Sequence, residues 1–252
     1  MIELQTHRKP SESVKPTSRV WLLQGKQMGD NAQVLALGQS LQEMDGFSTE
    51  ARPIKYELRK ASKARRHGAP DTGAMAGSGL TAPWPEVVIS CGSTLCTVGQ
   101  WVKRMSGGRT VQVQIGRLAA RPEKIDLILE TAQYGVTPTA NMITLTLPIV
   151  RPDTALQAEA IAAWAPRLAG LPRPWLGILI GGPSSPIRFT AEDGSRLLQR
   201  MLEIRRELGG SLLIAYGPRT PDAVREILAR GLEGDAAHRI FGWPPQGPNA
   251  YP

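Results

Sequence analysis

Cysteine is scarce in this chain: only Cys91 and Cys96 occur in 252 residues. A disulfide framework needs more, so both are expected as thiols in a reducing compartment. Histidine is nearly as scarce. His7, His67 and His238 are scattered, which gives no zinc-like ligand set and no expectation of a metal. Aromatic residues make up 5% of the chain against 41% hydrophobic residues, so the cores are expected to be aliphatic. No run reaches the roughly 18–20 apolar residues that a membrane span needs. Residues 1–18 are polar, are broken by Pro10 and Pro16, and lack the apolar centre of a signal peptide. They are expected to form a flexible tail on a cytoplasmic protein, with peripheral membrane contact left open. Also missing are the G-x-G-x-x-G dinucleotide pattern and the P-loop order. No Ser-His-Asp arrangement is visible, no carboxylate pair is fixed by local spacing, and no cofactor is implied.

What the chain does have is positive charge. Thirty Lys and Arg stand against 22 Asp and Glu, a formal net charge of +8. Such a surface favours nucleotide phosphates, phospholipid head groups or nucleic acid, although a basic protein with no charged partner fits equally well. The length allows one large domain or two small ones.

Four apolar runs end on glycine, and each leads into a polar loop and a helix-like stretch. They cover residues 19–25, 86–92, 175–182 and 211–217. This is the α/β arrangement in which amides at a helix start face a ligand, preferably an anion. Two runs fall in each half, which predicts two α/β domains facing a shared cleft. The expected domains are 19–152 and 153–252, with Pro148 to Pro152 as the boundary.

In the first half a helix is expected over 31–43 with Asp30 at the N-cap, then a strand over 50–58. Lys60, Lys63, Arg65, Arg66 and His67 open a basic, then Gly/Ala/Pro-rich insertion over 60–84 that reads as flexible. Helix 93–105 should stop at Gly107 and Gly108. Short strands are expected at 110–116, 126–130 and 142–146. In the second half Asp153 or Thr154 caps a helix reaching Leu168. Thr190 with Asp193 reads as a capping box, and Thr220 as an N-cap with Pro221 at the first helical position.

The loops carry the candidate chemistry. In the first, Gly25, Lys26, Gly29, Asp30, Asn31 and Gln33 gather at a strand-to-helix switch. Lys26 can meet a phosphate, and Asp30 can accept a proton from a sugar hydroxyl. The alternative is a tight turn with Asp30 as a plain N-cap. Gly92, with Ser93 and Thr94, offers a second helix start or a simple cap. Gly181, Gly182 and Ser184 offer backbone access and a hydroxyl, or a structural turn. Arg219 and Thr220 put a cation beside a helix N-terminus, or a surface arginine there.

The segments Trp21-Leu-Leu-Gln-Gly-Lys-Gln-Met-Gly-Asp-Asn-Ala-Gln33, Ser106-Gly-Gly-Arg-Thr110, Val113-Gln-Ile115, Ile180-Gly-Gly-Pro-Ser184 and Arg219-Thr-Pro221 occur in this order. Together they resemble the mitochondrial-fission "elongated mitochondria" family over roughly residues 19–252. The resemblance implies a GT-B glycosyltransferase-like fold of two Rossmann-like domains. It implies a nucleotide-sugar or other phosphorylated ligand in the interdomain cleft, and glycosyl transfer as the reaction. Asp30 would sit in the base-bearing loop, with Gly181 to Ser184, Arg219 and Thr220 facing donor phosphates. Plant members imply another class, a non-catalytic adaptor recruiting a dynamin-like division protein at a membrane surface. No nucleic-acid partner is implied. Members usually carry Asn-Pro-Tyr where this chain has Asn249-Ala-Tyr251. They continue into donor-gripping segments that this chain lacks. It is therefore expected to be C-terminally truncated, with an incomplete second domain.

Overall fold

A computed structural model describes residues 17–54, 78–119, 121–184 and 187–242. The chain divides into two compact units, Met1–Arg151 and Pro152–Pro252.

Unit 1 is built on β1 (Ser18–Gln24), α1 (Met28–Gln42), β2 (Phe47–Pro53), β3 (Val87–Cys91), α2 (Gly92–Met105), β4 (Val111–Ile115), β5 (Leu127–Thr131) and β6 (Met142–Leu145). Its six strands run parallel in the order β2-β1-β3-β4-β5-β6. Alternation along β1 explains the layering. Val20 and Leu22 join Ile89, Val113 and Leu129 beneath Val34 of α1. Trp21 and Leu23 face the other way, toward Leu95, Val98 and Trp101 of α2.

This second core is less aliphatic than composition suggests. Trp84 meets Trp21 edge-on at 5.8 Å and Trp101 at 5.5 Å. Few aromatics are present, but three of them converge here. Leu80 is buried in the same core, and the Arg19 guanidinium donates to the Trp84 carbonyl at 2.7 Å. Leu80 and Trp84 of the basic insertion thus pack onto the core, while Gly79 and residues 81–83 are exposed; its residues 60–77 lie outside the described residues.

Two element starts in unit 1 fall three residues earlier than expected. Helix α1 begins at Met28, and Gln27 is its N-cap without a side-chain hydrogen bond. Asp30 therefore lies inside the first turn. Asn31 draws the turn onto the strand end: its Oδ1 accepts from Gly25 N–H at 2.8 Å, and its Nδ2 donates to Gly25 O at 2.9 Å. Strand β2 begins at Phe47, because Gly46 turns the chain at φ 94° and accepts from Ser18 N–H.

Unit 2 comprises α3 (Thr154–Leu168), β7 (Trp175–Ile180), α4 (Ala191–Leu208), β8 (Ser211–Tyr216), α5 (Asp222–Gly231) and β9 (His238–Phe241). Its three strands are parallel, in the order β7-β8-β9. Ile180, Leu212 and Ile214 pack against Met201 of α4 and Val224 and Leu228 of α5. Trp164 of α3 stacks edge-on against Phe241 at 4.7 Å. Asp153 caps α3, and Thr190 with Asp193 forms the capping box of α4. Thr220 does not cap α5: the N-cap is Pro221, and the helix starts at Asp222. The Thr220 hydroxyl instead binds the end of β7.

Candidate functional site

The carboxyl ends of β1, β3, β4 and β5 surround a cavity of about 460 Å³ built entirely from unit 1. That size suits a small-molecule ligand. Gly25, Lys26, Asp30, Gln33 and Gly92 all line it. Five of the residues singled out from sequence therefore meet at one place.

The geometry around Asp30 is tight. Gly92 adopts φ +78°, and a Cβ there would lie 2.6 Å from Asp30 Oδ2. The carboxylate thus rests against the first residue of α2, whose N-cap Cys91 provides no side-chain hydrogen bond. An acidic group at a helix N-terminus is favourably placed. Cys91 lies beside it, buried as a thiol, as is Cys96. Burial, followed by the Asp30 charge and a hydrogen bond to Asp30, pushes the Cys91 thiol up to about 12. Gln33 Nε2 approaches the Cys91 sulfur at 3.7 Å, and Gln33 Oε1 accepts from Ile149 N–H at 3.4 Å.

A raised thiol pKa has a pH consequence. Below 9, folded and unfolded chains both keep the proton. Between 9 and about 12 only the folded chain keeps it, so stability falls as pH rises through this window. The loss is bounded by about 1.4 kcal/mol per pH unit. Cys91→Ala should flatten this alkaline slope in urea titrations. A slope identical to that of the parent chain would contradict the placement.

Beneath the cavity lies a buried polar chain. Ser90 Oγ donates to Gln114 Oε1 at 2.6 Å. Gln114 Nε2 lies 3.2 Å from Gly92 O, 2.9 Å from Ile115 O and 3.2 Å from Arg117 O. These contacts lock the loop after β3 to the loop after β4. Glu130 is 2% exposed, and burial raises its carboxyl pKa. Its Oε1 accepts from Thr131 N–H at 3.2 Å.

The remaining sequence candidates fall elsewhere. Gly29 has open space around it, and Asn31 spends its amide on Gly25. In unit 2, a Cβ on Gly182 would lie 2.0 Å from Arg219 O, so this glycine serves loop packing. Gly181 is open. Ser184 pairs with Ile187 through backbone hydrogen bonds. Thr220 Oγ1 lies 2.7 Å from Ile180 O and 2.9 Å from Gly181 O, and accepts from Gly217 N–H. It is 4% exposed and tied to the strand ends, so its hydroxyl is committed to the fold. Arg219 is exposed.

Sequence reading missed Arg117, Thr131 and Gln133, which also line the cavity. One signal for Arg117 was available. Strand β4 is followed directly by Gly116 at φ +68°, a further strand-end glycine, but Gln112 and Gln114 interrupt its apolar run. Among the described residues no group of three or more side chains could hold a metal, and no helix is long and apolar enough to cross a membrane.

The fold has solved counterparts. UDP-GlcNAc 2-epimerase from Methanocaldococcus jannaschii superposes with a TM-score of 0.50 at 11% identity, covering 91% of this chain and 74% of that one. A second structure of that organism's enzyme, in complex with UDP-GlcNAc and UDP, gives a TM-score of 0.49 at 12% identity, covering 92% and 74%. With its parallel sheets and the first of these likenesses, the fold is α/β and GT-B-like, with Rossmann-like sheets. A curated Arabidopsis thaliana relative, "Mitochondrial fission protein ELM1", is 24% identical over 189 residues. The match covers 66% of this chain but only 44% of that protein. The family model described as "Mitochondrial fission ELM1" matches residues 28–252, and the chain belongs to that family.

Proposed function

We propose that the chain binds a nucleotide-sugar or another phosphorylated ligand, that glycosyl transfer is the reaction it serves, and that Asp30 is the base. The observation carrying this reading is the unit 1 cavity. Two cations, Lys26 and Arg117, share it with the Asp30 carboxylate at the start of α2. Neither cation has a salt-bridge partner among the described residues. Net positive charge with one carboxylate suits a ligand that brings phosphate and also presents a hydroxyl. The sugar-nucleotide named in the fold counterpart supports the ligand class.

The test is a melting curve with UDP and with GDP. Ligand at a hundred times its Kd stabilises by about 2.7 kcal/mol, which moves Tm by several degrees. A shift with either nucleotide supports the reading, and Lys26→Ala should reduce it. No shift with either one overturns the nucleotide-sugar form of the reading. If a turnover product is then found, its identity separates transfer from epimerisation.

A second reading is an adaptor at a membrane surface, favoured by the family's fission description and the net charge of +8. It expects salt-sensitive sedimentation with phosphatidylserine vesicles. Replacing Lys60, Lys63, Arg65 and Arg66 by serine should abolish that binding. Undiminished binding would sink the adaptor reading.

A further inference from the structure

On the reading that this cavity takes a phosphorylated ligand, we propose that the phosphate sits on its β4–β5 side. There it is held by Arg117 and the Thr131 hydroxyl, beside the N-terminus of α2.

Thr131 is the first observation. It closes β5 at 7% exposure, and among the described residues its Oγ1 has no hydrogen-bond partner. Strand alternation puts it on the same face as Leu129, and both line the cavity; Glu130 between them does not. A buried hydroxyl left unpaired is unfavourable, and an oxygen arriving in the cavity would satisfy it.

The second is α2, a helix of 14 residues whose N-cap residue, Cys91, makes no side-chain hydrogen bond to it. Its first-turn amides have no partner within the helix, and Ser93 and Thr94 of that turn line the cavity. Asp30 occupies the Gly92 side of this helix end. The side toward β4 and β5 is the one next to Arg117 and Thr131.

The third is the way Arg117 is presented. Gln114 is fully buried, is held by Ser90, and binds the Arg117 carbonyl. The loop bearing this cation is therefore fixed by the core. A guanidinium fork matches phosphate oxygens better than a point charge does. Asp30 on one side and Arg117 with Thr131 on the other define the ligand class. It is a compound carrying a phosphate group and, a short distance away, a hydroxyl: a phosphomonoester of a sugar or a nucleoside diphosphate.

Calorimetric titration of the full chain with UDP and with inorganic pyrophosphate tests this. Arg117→Gln should weaken both by at least about tenfold. Thr131→Val should weaken both by about three- to tenfold, while Thr131→Ser, which keeps the hydroxyl, retains affinity. Arg109→Gln, at the opposite end of the same strand, should stay within about twofold. UDP binding that is indifferent to Arg117→Gln and Thr131→Val overturns the subsite and leaves the ligand-binding reading standing. Pyrophosphate binding with no UDP binding, lost in Arg117→Gln, supports the subsite and points to a phosphomonoester. Failure of the parent chain to bind either probe overturns both proposals.

Discussion

Gly182→Ala is expected to destabilise unit 2 by about 3 kcal/mol or more, a large effect for one methyl group. The added Cβ would stand 2.0 Å from Arg219 O, 2.3 Å from its carbonyl carbon and 2.5 Å from its Cβ. Two of these three neighbours are backbone, so no rotamer change relieves the clash. Nor can the two loops separate easily. Gly217 N–H donates to Ile180 O at 2.9 Å, and Thr220 Oγ1 reaches the carbonyls of Ile180 and Gly181. Gly181→Ala is the control, since a Cβ there meets nothing within 4 Å. It should change stability by no more than about 1 kcal/mol. Urea denaturation of both variants checks the pair; equal stability would mean that the strand-end loops of unit 2 are not in contact.

Gly92→Ala is expected to cost about 2 kcal/mol and to move Asp30 away from the start of α2. At φ +78° an alanine suffers the left-handed penalty of about 1–2 kcal/mol. Its Cβ would also meet Asp30 Oδ2 at 2.6 Å. That atom ends a flexible side chain, so it yields by turning away. The two effects can be separated by a double-mutant cycle. In an Asp30→Ala background the Gly92→Ala cost should shrink toward the left-handed term alone. A cost unchanged by Asp30→Ala would show that the carboxylate does not rest on Gly92. If Asp30 is the base, Gly92→Ala should lower transfer about as much as Asp30→Asn does, roughly 100-fold or more.

Much of this was legible from the residues. Strand ends marked by glycine located the loops after β1, β3, β7 and β8, because a sharp turn at a strand's carboxyl end selects that residue. Helix starts were legible where the side chain acts locally, as with Asp153 and with Thr190 and Asp193. They were misread where a side chain is captured by a distant backbone group. Asn31 reaches back to Gly25, and Thr220 crosses to β7, 40 residues away in sequence. Spacing rules see neighbours along the chain and not those partners. The buried chain from Ser90 through Gln114 to Arg117 was hidden for the opposite reason. Glutamines inside a strand carry no apolar signal, whereas here both are core residues and Gln114 ties together two loops of the cavity wall. Cys91 was expected only as a free thiol, and only the fold sets it beside Asp30.

The most direct test of the central claim is backbone hydrogen exchange of the full chain with and without saturating UDP. The account predicts slowed exchange at residues 25–33, 92–95, 116–117 and 131–133, the segments that carry most of the cavity wall. UDP binding with no slowing at any of these segments would contradict it.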